Sequence, residues 1–422
     1  MSPVLTMAVG LFGLLVALVR PSWGFALAFI MLYFPILPNV PFGPVELALP
    51  NFVLLGLFVR TLDLRRSGEN MLLAVWQRTV LVFLGLAFFL SFLFSHSFEI
   101  SVHMLPNYIT YLLWLYVFMR LVKSPAQLWQ IARLMLVLGF LLSIWRIELR
   151  PIRGLLSLPS LGINGAIFAF HPSVALSFAL LFLLPASAQI NRKWQWFAGL
   201  TLFSTIYHGV LLEGRAGVLA WLIMLVAVGL QSPTRAKISL MLGGVLMGGV
   251  MLVTFGDVIQ ANLGQTRATV MAFFDEDYFD TADVDDRIRL VARDAALNMF
   301  RERPVFGWGP NAYIRYKPLF VNYFGKEADL PGAFNAWAIA LAELGLVGTL
   351  IATIAFLTPL IHSFRYMRKT TFINRLAFAY ALGVLGLFVH LLFIDLMYSF
   401  AWVHLGLALA AARLALDGQI YD

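Results

Sequence analysis

The sequence predicts an all-α, polytopic integral membrane protein with about 12–14 transmembrane helices and one large, partly helical extracytoplasmic loop. Three observations predict it. Long apolar runs recur from one end of the 422-residue chain to the other. Only 12% of residues are charged and the mean hydropathy is +0.84, whereas a soluble chain carries about a quarter charged residues. The alternating segments of a membrane β-barrel are absent.

The expected spans are residues 4–19, 22–37, 46–59, 79–95, 106–122, 128–145, 173–188, 196–212, 216–230, 238–254, 335–361, 376–393 and 398–413. The first has no basic region before it and no small-residue cleavage site, so it reads as a retained helix rather than a signal peptide. The third is short; it stands alone or pairs with the second as a broken helix. The chain as a whole, 1–422, reads as a single transmembrane domain, with residues 255–334 inserted as a large outer loop.

Charge sets the orientation. One alternate set of loops and span ends, including "RTLDLRR", "RLVKSP", "INRKW", "SPTRAK" and "FRYMRK", holds 17 of the 30 Lys and Arg residues. By the positive-inside rule this face is cytoplasmic. The net charge of +8 is thereby a topology signal and not a nucleic-acid footprint. The other face holds a Pro-rich loop at 38–50, the loop 146–172, and the segment 255–334. Within that segment "DRIRLVARDAALNMF" has helical spacing of its apolar residues, and "RPVFGWGPNAY" is a Gly/Pro turn with aromatics. The acidic run "FFDEDYFDTADVDD" lacks the EF-hand pattern and reads as a solvated loop, so no metal site is expected. The chain has no cysteine, which excludes disulfides and thiolate chemistry. No P-loop or Rossmann fingerprint is present, and no cofactor is expected.

The outer face holds the remaining 13 basic residues, of which 11 are arginine. A topology signal mixes Lys with Arg; an arginine-dominated set points to bidentate pairing with carboxylate or phosphate. Most of the large-loop arginines have acidic residues nearby to pair with. Arg215, in "LLEGRAGVLAW" between two apolar spans, has only Glu213 beside it. A charge so near hydrocarbon requires a partner or a cavity. It is met either by that local ion pair or by an anionic ligand. Arg146, Arg150 and Arg153 form a second group just beyond a span, with Glu148 as their only internal counter-charge. An anion at this boundary is a lipid phosphate or pyrophosphate.

Four stretches together resemble the O-antigen ligase and O-antigen polymerase family of bacterial envelope enzymes: "FAFHPSVALSFALLFLLP" (168–185), "LLEGRAGVLAW" (211–221), "RIRLVARDAALNMFRERPVFGWGPNAY" (287–313) and "FNAWAIALAELGLVG" (334–348). The resemblance implies a multi-pass protein of the bacterial inner membrane with its active site facing the periplasm. It implies transfer of a glycan from an undecaprenyl-pyrophosphate donor to an acceptor glycan or glycolipid, without nucleotide or metal. Arg215 then binds the pyrophosphate, Arg287 or Arg289 assists, and Asn335 belongs to the motif opening the last stretch. Charge alone adds Arg146, Arg150 and Arg153 as holders of lipid phosphate.

One position departs from the family pattern. Where the family has the histidine that activates the acceptor, this chain has Phe334, which takes no proton. His171, Glu343, Glu213 and Asp395 are the alternative bases. His171 otherwise reads as a capping residue near a helix start, Glu343 as a buried structural carboxylate two turns below Asn335, and His390 and Asp395 as interfacial. The missing histidine favours a polymerase of exopolysaccharide or O-antigen over a ligase attaching glycan to lipid A-core. The rival classes are an anionic-lipid transporter or flippase, and a non-catalytic partner of other polysaccharide-assembly proteins.

Overall fold

The computed structural model describes residues 3–33, 40–42, 45–66, 73–147, 163–184, 191–211, 215–234, 284–321, 335–366, 371–392 and 399–417, with 237, 238, 249, 264 and 271 besides. Fifteen α-helices run through them: α1 (Pro3–Val19), α2 (Pro21–Tyr33), α3 (Leu49–Arg66), α4 (Val75–Leu93), α5 (Phe98–Val102), α6 (Leu105–Leu121), α7 (Pro125–Ile147), α8 (Ile163–Phe178), α9 (Arg192–Leu211), α10 (Arg215–Gln231), α11 (Val284–Glu302), α12 (Ala312–Tyr316), α13 (Ala336–Tyr366), α14 (Phe372–His390) and α15 (Ser399–Asp417). Twelve of the thirteen expected spans coincide with one of these. The thirteenth, 238–254, lies outside the described residues apart from 238 and 249. Among the described residues five helices are long and apolar enough to cross a membrane, within α4, α7, α13, α14 and α15, and five shorter apolar helices accompany them. The protein is an all-α polytopic membrane protein.

Two features depart from the expected elements. A small antiparallel hairpin, β1 (Val40–Phe42) and β2 (Val45–Leu47), separates α2 from α3, so the second and third spans are distinct helices and not one broken helix. α8 begins at Ile163, ten residues before the expected span, and Pro172 lies inside it. Proline removes one ladder bond and clashes with the preceding turn, a cost that a helix packed among other helices absorbs. His171 is therefore in mid-helix and does not cap a helix start.

α14 and α15 form the centre. Both are buried along most of their length; α15 packs on α6, and α14 on α8 and α10. Rings fill the space between α2, α6 and α15: Phe118 lies 5.0 Å from Phe25 and 5.7 Å from Phe29, and Phe400 lies 4.2 Å from His404. At the end of the bundle where the basic loops gather, called here the basic end, arginines satisfy helix carbonyls left without intrahelical partners. Arg413 donates to Met119 O at 3.0 Å and Val122 O at 2.7 Å, closing the end of α6. The π-helical turn Ala179–Leu183 that ends α8 receives Arg375 on Leu183 O, and Gln195 on Leu180 O and Leu184 O.

The opposite end is set by a close approach of α9 and α10. A Cβ on Gly209 would lie 2.2 Å from Trp221 Cη2, while one on Gly199, ten residues earlier on the same helix, meets nothing nearer than 4.0 Å. The two glycines predict opposite signs. Gly209→Ala overpacks a filled contact and is expected to destabilise by about 1–3 kcal/mol. Gly199→Ala is expected to stabilise by about 0.5–1 kcal/mol, through helix propensity alone. Thermal unfolding of the two variants in one detergent checks the pair; equal shifts would contradict the packing.

Candidate functional site

Arg215 is the first residue of α10. The first four amide N–H groups of a helix have no intrahelical acceptor, and the helix dipole places partial positive charge there. The residue at this position is an arginine, and a helix N-terminus is a place where backbone amides can receive an anion. The Gly209–Trp221 contact fixes α10 against α9 six residues further in, about 9 Å along the axis.

Trp221 leads to the next group. Its ring lies 6.2 Å from that of His171, and His171 Nε2 is 2.6 Å from His390 Nδ1. Both histidines are buried, at 0% and 1% exposure. They join α8 to the end of α14, which the sequence could not pair across 219 residues. The next residue, Leu391, accepts the backbone N–H of Ala336 at 2.9 Å, and Trp337 Nε1 donates to Phe388 O at 3.2 Å. These bonds bring the start of α13 beside the His171–His390 pair. Asn335 sits at that start and works as a helix cap: its Oδ1 accepts the Ala338 N–H at 2.9 Å. The elements carrying Arg215, His171, His390 and Asn335 thus converge at one end of the bundle.

Glu343 belongs to a different cluster. α13 is broken at Gly345, whose backbone (φ 65°, ψ −169°) is non-helical. A break frees carbonyls before it and amides after it, and the turn from Pro304 to Gly309 takes up both sets. Trp308 N donates to Ala342 O at 2.8 Å and Gly309 N to Glu343 O at 2.9 Å. In return Leu346 N donates to Pro304 O at 2.8 Å and Val347 N to Val305 O at 3.2 Å. Only glycine fits at the crossing: a Cβ on Gly307 would lie 2.5 Å from Glu343 O, and one on Gly345 2.4 Å from Val305 O. Ser91 Oγ of α4 adds a bond to Glu343 O at 2.9 Å.

Side chains lock the same junction. Trp308 Nε1 donates to Met299 O at 2.7 Å and Tyr313 OH to Ala292 O at 2.9 Å, tying the turn and α12 to α11. Ala292, Ala296 and Met299 pack with Ala338 and Ala342 of α13. Arg303 lies 4.8 Å over the Trp308 ring and reaches His96 Nδ1 at 3.0 Å. α11 is thereby held over the first segment of α13. Arg287 and Arg289 are half-buried near its start, each already engaged within the protein. Arg293 pairs with Asp294, the local compensation expected of the loop arginines.

The Glu343 carboxylate, 8% exposed, accepts the Tyr313 backbone N–H at 3.1 Å through Oε1. This makes it the anchor of the turn. Glutamine keeps that acceptor, so Glu343→Gln is expected to fold and to act like the parent. Glu343→Leu leaves a buried amide unpaired, at about 1–3 kcal/mol. Comparing the two variants' thermal stability and activity separates anchoring from proton transfer: loss of activity in a stable Gln variant would restore Glu343 as a base.

The remaining expected residues are placed only in part. Arg146 lies in the last turn of α7, while Arg150 and Arg153, like Glu213, Phe334 and Asp395, lie outside the described residues. Among the described residues no group of three or more His, Asp or Glu side chains is arranged to hold a metal ion. Sequence reasoning missed the Gly345 break and the contacts of Ser91, Ser95, Ser101 and His96 with the turn. The paired glycines of "GWG" and "LGL" were the available signal.

A family model described as O-antigen ligase matches residues 200–353. No curated protein matches the chain. The matched range opens in α9 just before Gly209 and closes in α13 beyond the Gly345 break. It therefore takes in the start of α10 and the turn docked on α13, and over residues 200–353 the chain is similar to the O-antigen ligase family.

Proposed function

We propose that this protein is a polymerase-type glycosyltransferase of the bacterial inner membrane. It joins a glycan carried on undecaprenyl pyrophosphate to a second lipid-linked glycan on the periplasmic face. What supports this reading is Arg215 as the first residue of α10, so that an arginine and the amide end of a helix share one position in the chain, inside the stretch that matches the family model.

In the reaction the acceptor hydroxyl oxygen bonds to the donor's anomeric carbon. The bond from that carbon to the pyrophosphate oxygen breaks, and the leaving pyrophosphate keeps the electron pair. Arg215 and the α10 amides stabilise the charge that develops there. Holding both lipid-linked substrates at one bundle end supplies orientation. The acceptor proton passes to a base or to water. Glu343 is committed to the Tyr313 amide, and His171 and His390 are buried against each other. Phe334 takes no proton, and lipid pyrophosphate is a good enough leaving group to need little help. The missing histidine favours the polymerase over the ligase.

Purified protein in proteoliposomes with undecaprenyl-pyrophosphate-linked repeat units is the test. Longer lipid-linked glycans and free undecaprenyl pyrophosphate are the expected products. Transfer only to added lipid A-core would make it a ligase. Movement of the lipid without transfer would make it a flippase, and neither activity would leave the assembly-partner role.

A further inference from the structure

A chain of hydrogen bonds links α7 to α9 and runs toward the end opposite the basic one. Ser143 Oγ of α7 donates to Phe140 O at 2.7 Å. Across the helices it meets Ser204 Oγ of α9 at 2.6 Å. Ser204 Oγ in turn lies 3.3 Å from His208 Nδ1, one turn further along α9. All three side chains are buried.

The order of these bonds fixes a proton. Each hydroxyl has one O–H to give. Ser143 spends its own on Phe140 O, so toward Ser204 it accepts and Ser204 donates. Ser204 then has no proton left for the imidazole. His208 Nδ1 therefore carries the hydrogen and donates to Ser204 Oγ. In the neutral ring the lone pair falls on Nε2. An imidazole held at one nitrogen by a fixed acceptor, with its lone pair on the other, is the arrangement of an oriented general base.

His208 lies in the last turn of α9, and α9 packs on both α7 and α10. Its neighbour Gly209 touches Trp221, six residues from Arg215 and so about 9 Å along α10. On α7, Arg146 follows Ser143 by one turn, as His208 follows Ser204 by one turn on α9. By helix register His208 thus stands between the positions of Arg146 and Arg215. Those are the arginines read as holding lipid phosphate and pyrophosphate, and in a polymerase both substrates are lipid-linked.

We propose that His208 is the catalytic base, taking the acceptor hydroxyl's proton on Nε2, and that Ser204 and Ser143 are positioning residues that hold its tautomer. This rests on the glycan-transfer reading and names the proton acceptor of that reaction. As the acceptor oxygen bonds to the anomeric carbon, its O–H bond breaks and the proton moves to Nε2. The carbon–pyrophosphate bond breaks with its electron pair leaving on the pyrophosphate. The imidazolium keeps Nδ1–H on Ser204 and returns the new proton to water. A base accepts a hydrogen bond at its lone pair before it takes the proton, so a resting contact at Nε2 is compatible with the role.

The test is turnover in proteoliposomes with undecaprenyl-pyrophosphate-linked repeat units. His208→Asn keeps an amide N–H near the Nδ1 position, and with it the bond to Ser204, but has no base. It is expected to unfold at the parent's temperature and to lose about 100-fold in kcat with KM little changed, the low end of the range for general bases. Ser204→Ala is expected to lose a smaller part of kcat, and Ser204→Thr, which keeps the hydroxyl, to recover most of it. Isotope-labelled histidine NMR of the parent protein is expected to find the neutral His208 ring protonated at Nδ1, a reading that does not depend on any variant folding. Parent-level kcat in His208→Asn, while the parent itself lengthens glycans, would overturn the proposal and leave the glycan-transfer reading standing. So would a His208 ring protonated at Nε2 alone. A Ser204→Ala protein that loses stability but no kcat would reduce the two serines to helix packing. Absence of transfer by the parent would overturn the reading and the role of His208 together.

Discussion

A chain with valine at position 345 is expected to lose the docking of its Pro304–Gly309 turn while keeping most of its long helices. The backbone at Gly345, with φ 65° and ψ −169°, lies in a region open essentially to glycine alone, and forcing another residue into it costs about 1–3 kcal/mol. The Cβ would also meet Val305 O at 2.4 Å, so the turn must move away. With it go the four reciprocal backbone bonds between Pro304–Gly309 and Ala342–Val347, each worth about 0.5–1.5 kcal/mol. A total loss of about 3 kcal/mol or more is a large part of the 5–15 kcal/mol that holds a typical domain. Hydrogen exchange at Trp308, Gly309, Leu346 and Val347 should accelerate strongly, and proteases should cut the 284–321 segment. Parent-like protection of those four amides would show that the turn is held by something else.

Arg215→Ala is expected to lower turnover by about 100-fold or more while leaving the unfolding temperature within a degree or two. Removing one donor from a preorganised anion site costs about 10²–10³ in rate. The loss should fall on kcat more than on KM, because the charge Arg215 meets grows as the pyrophosphate leaves. Arg215→Lys is expected to recover part of the rate, since it restores the charge but not the planar fork. Single-turnover assays with the lipid-pyrophosphate donor separate the two constants. Full turnover in the alanine variant would remove Arg215 from the mechanism and leave the family match over residues 200–353 untouched.

The layout of helices was legible because membrane-length apolar runs are a signal that each segment carries by itself. Twelve helices stand where such runs predict them, and α11 stands where its apolar spacing predicts it. The start of α8 was not legible: the expected span opened after Pro172, and the helix runs through that proline from Ile163. The Gly345 break was hidden for the opposite reason. "AELGLVG" is apolar apart from Glu343, and nothing in hydropathy records a change in one backbone angle. The site divided in the same way. Arg215 was visible because a charge beside hydrocarbon is anomalous wherever it occurs. The His171–His390 pair and the bond from Ala336 to Leu391 join distant parts of the chain, and no local pattern announces them. Glu343 was visible as a buried acid, yet its partner is a main-chain amide, which has no letter in a sequence.

The interlock at Gly345 has a consequence for how the protein is made. The turn from Pro304 to Gly309 is synthesised before α13, and α4 is synthesised long before either. When α13 forms, the partners for its break belong to a segment already made, so the helix is finished by a part of the chain that precedes it. The hydrogen bonds at residues 342 to 347 therefore make one helix depend on a distant turn for its own backbone: a chain whose turn fails to dock leaves α13 with unmet polar groups, which cost most where water is scarce.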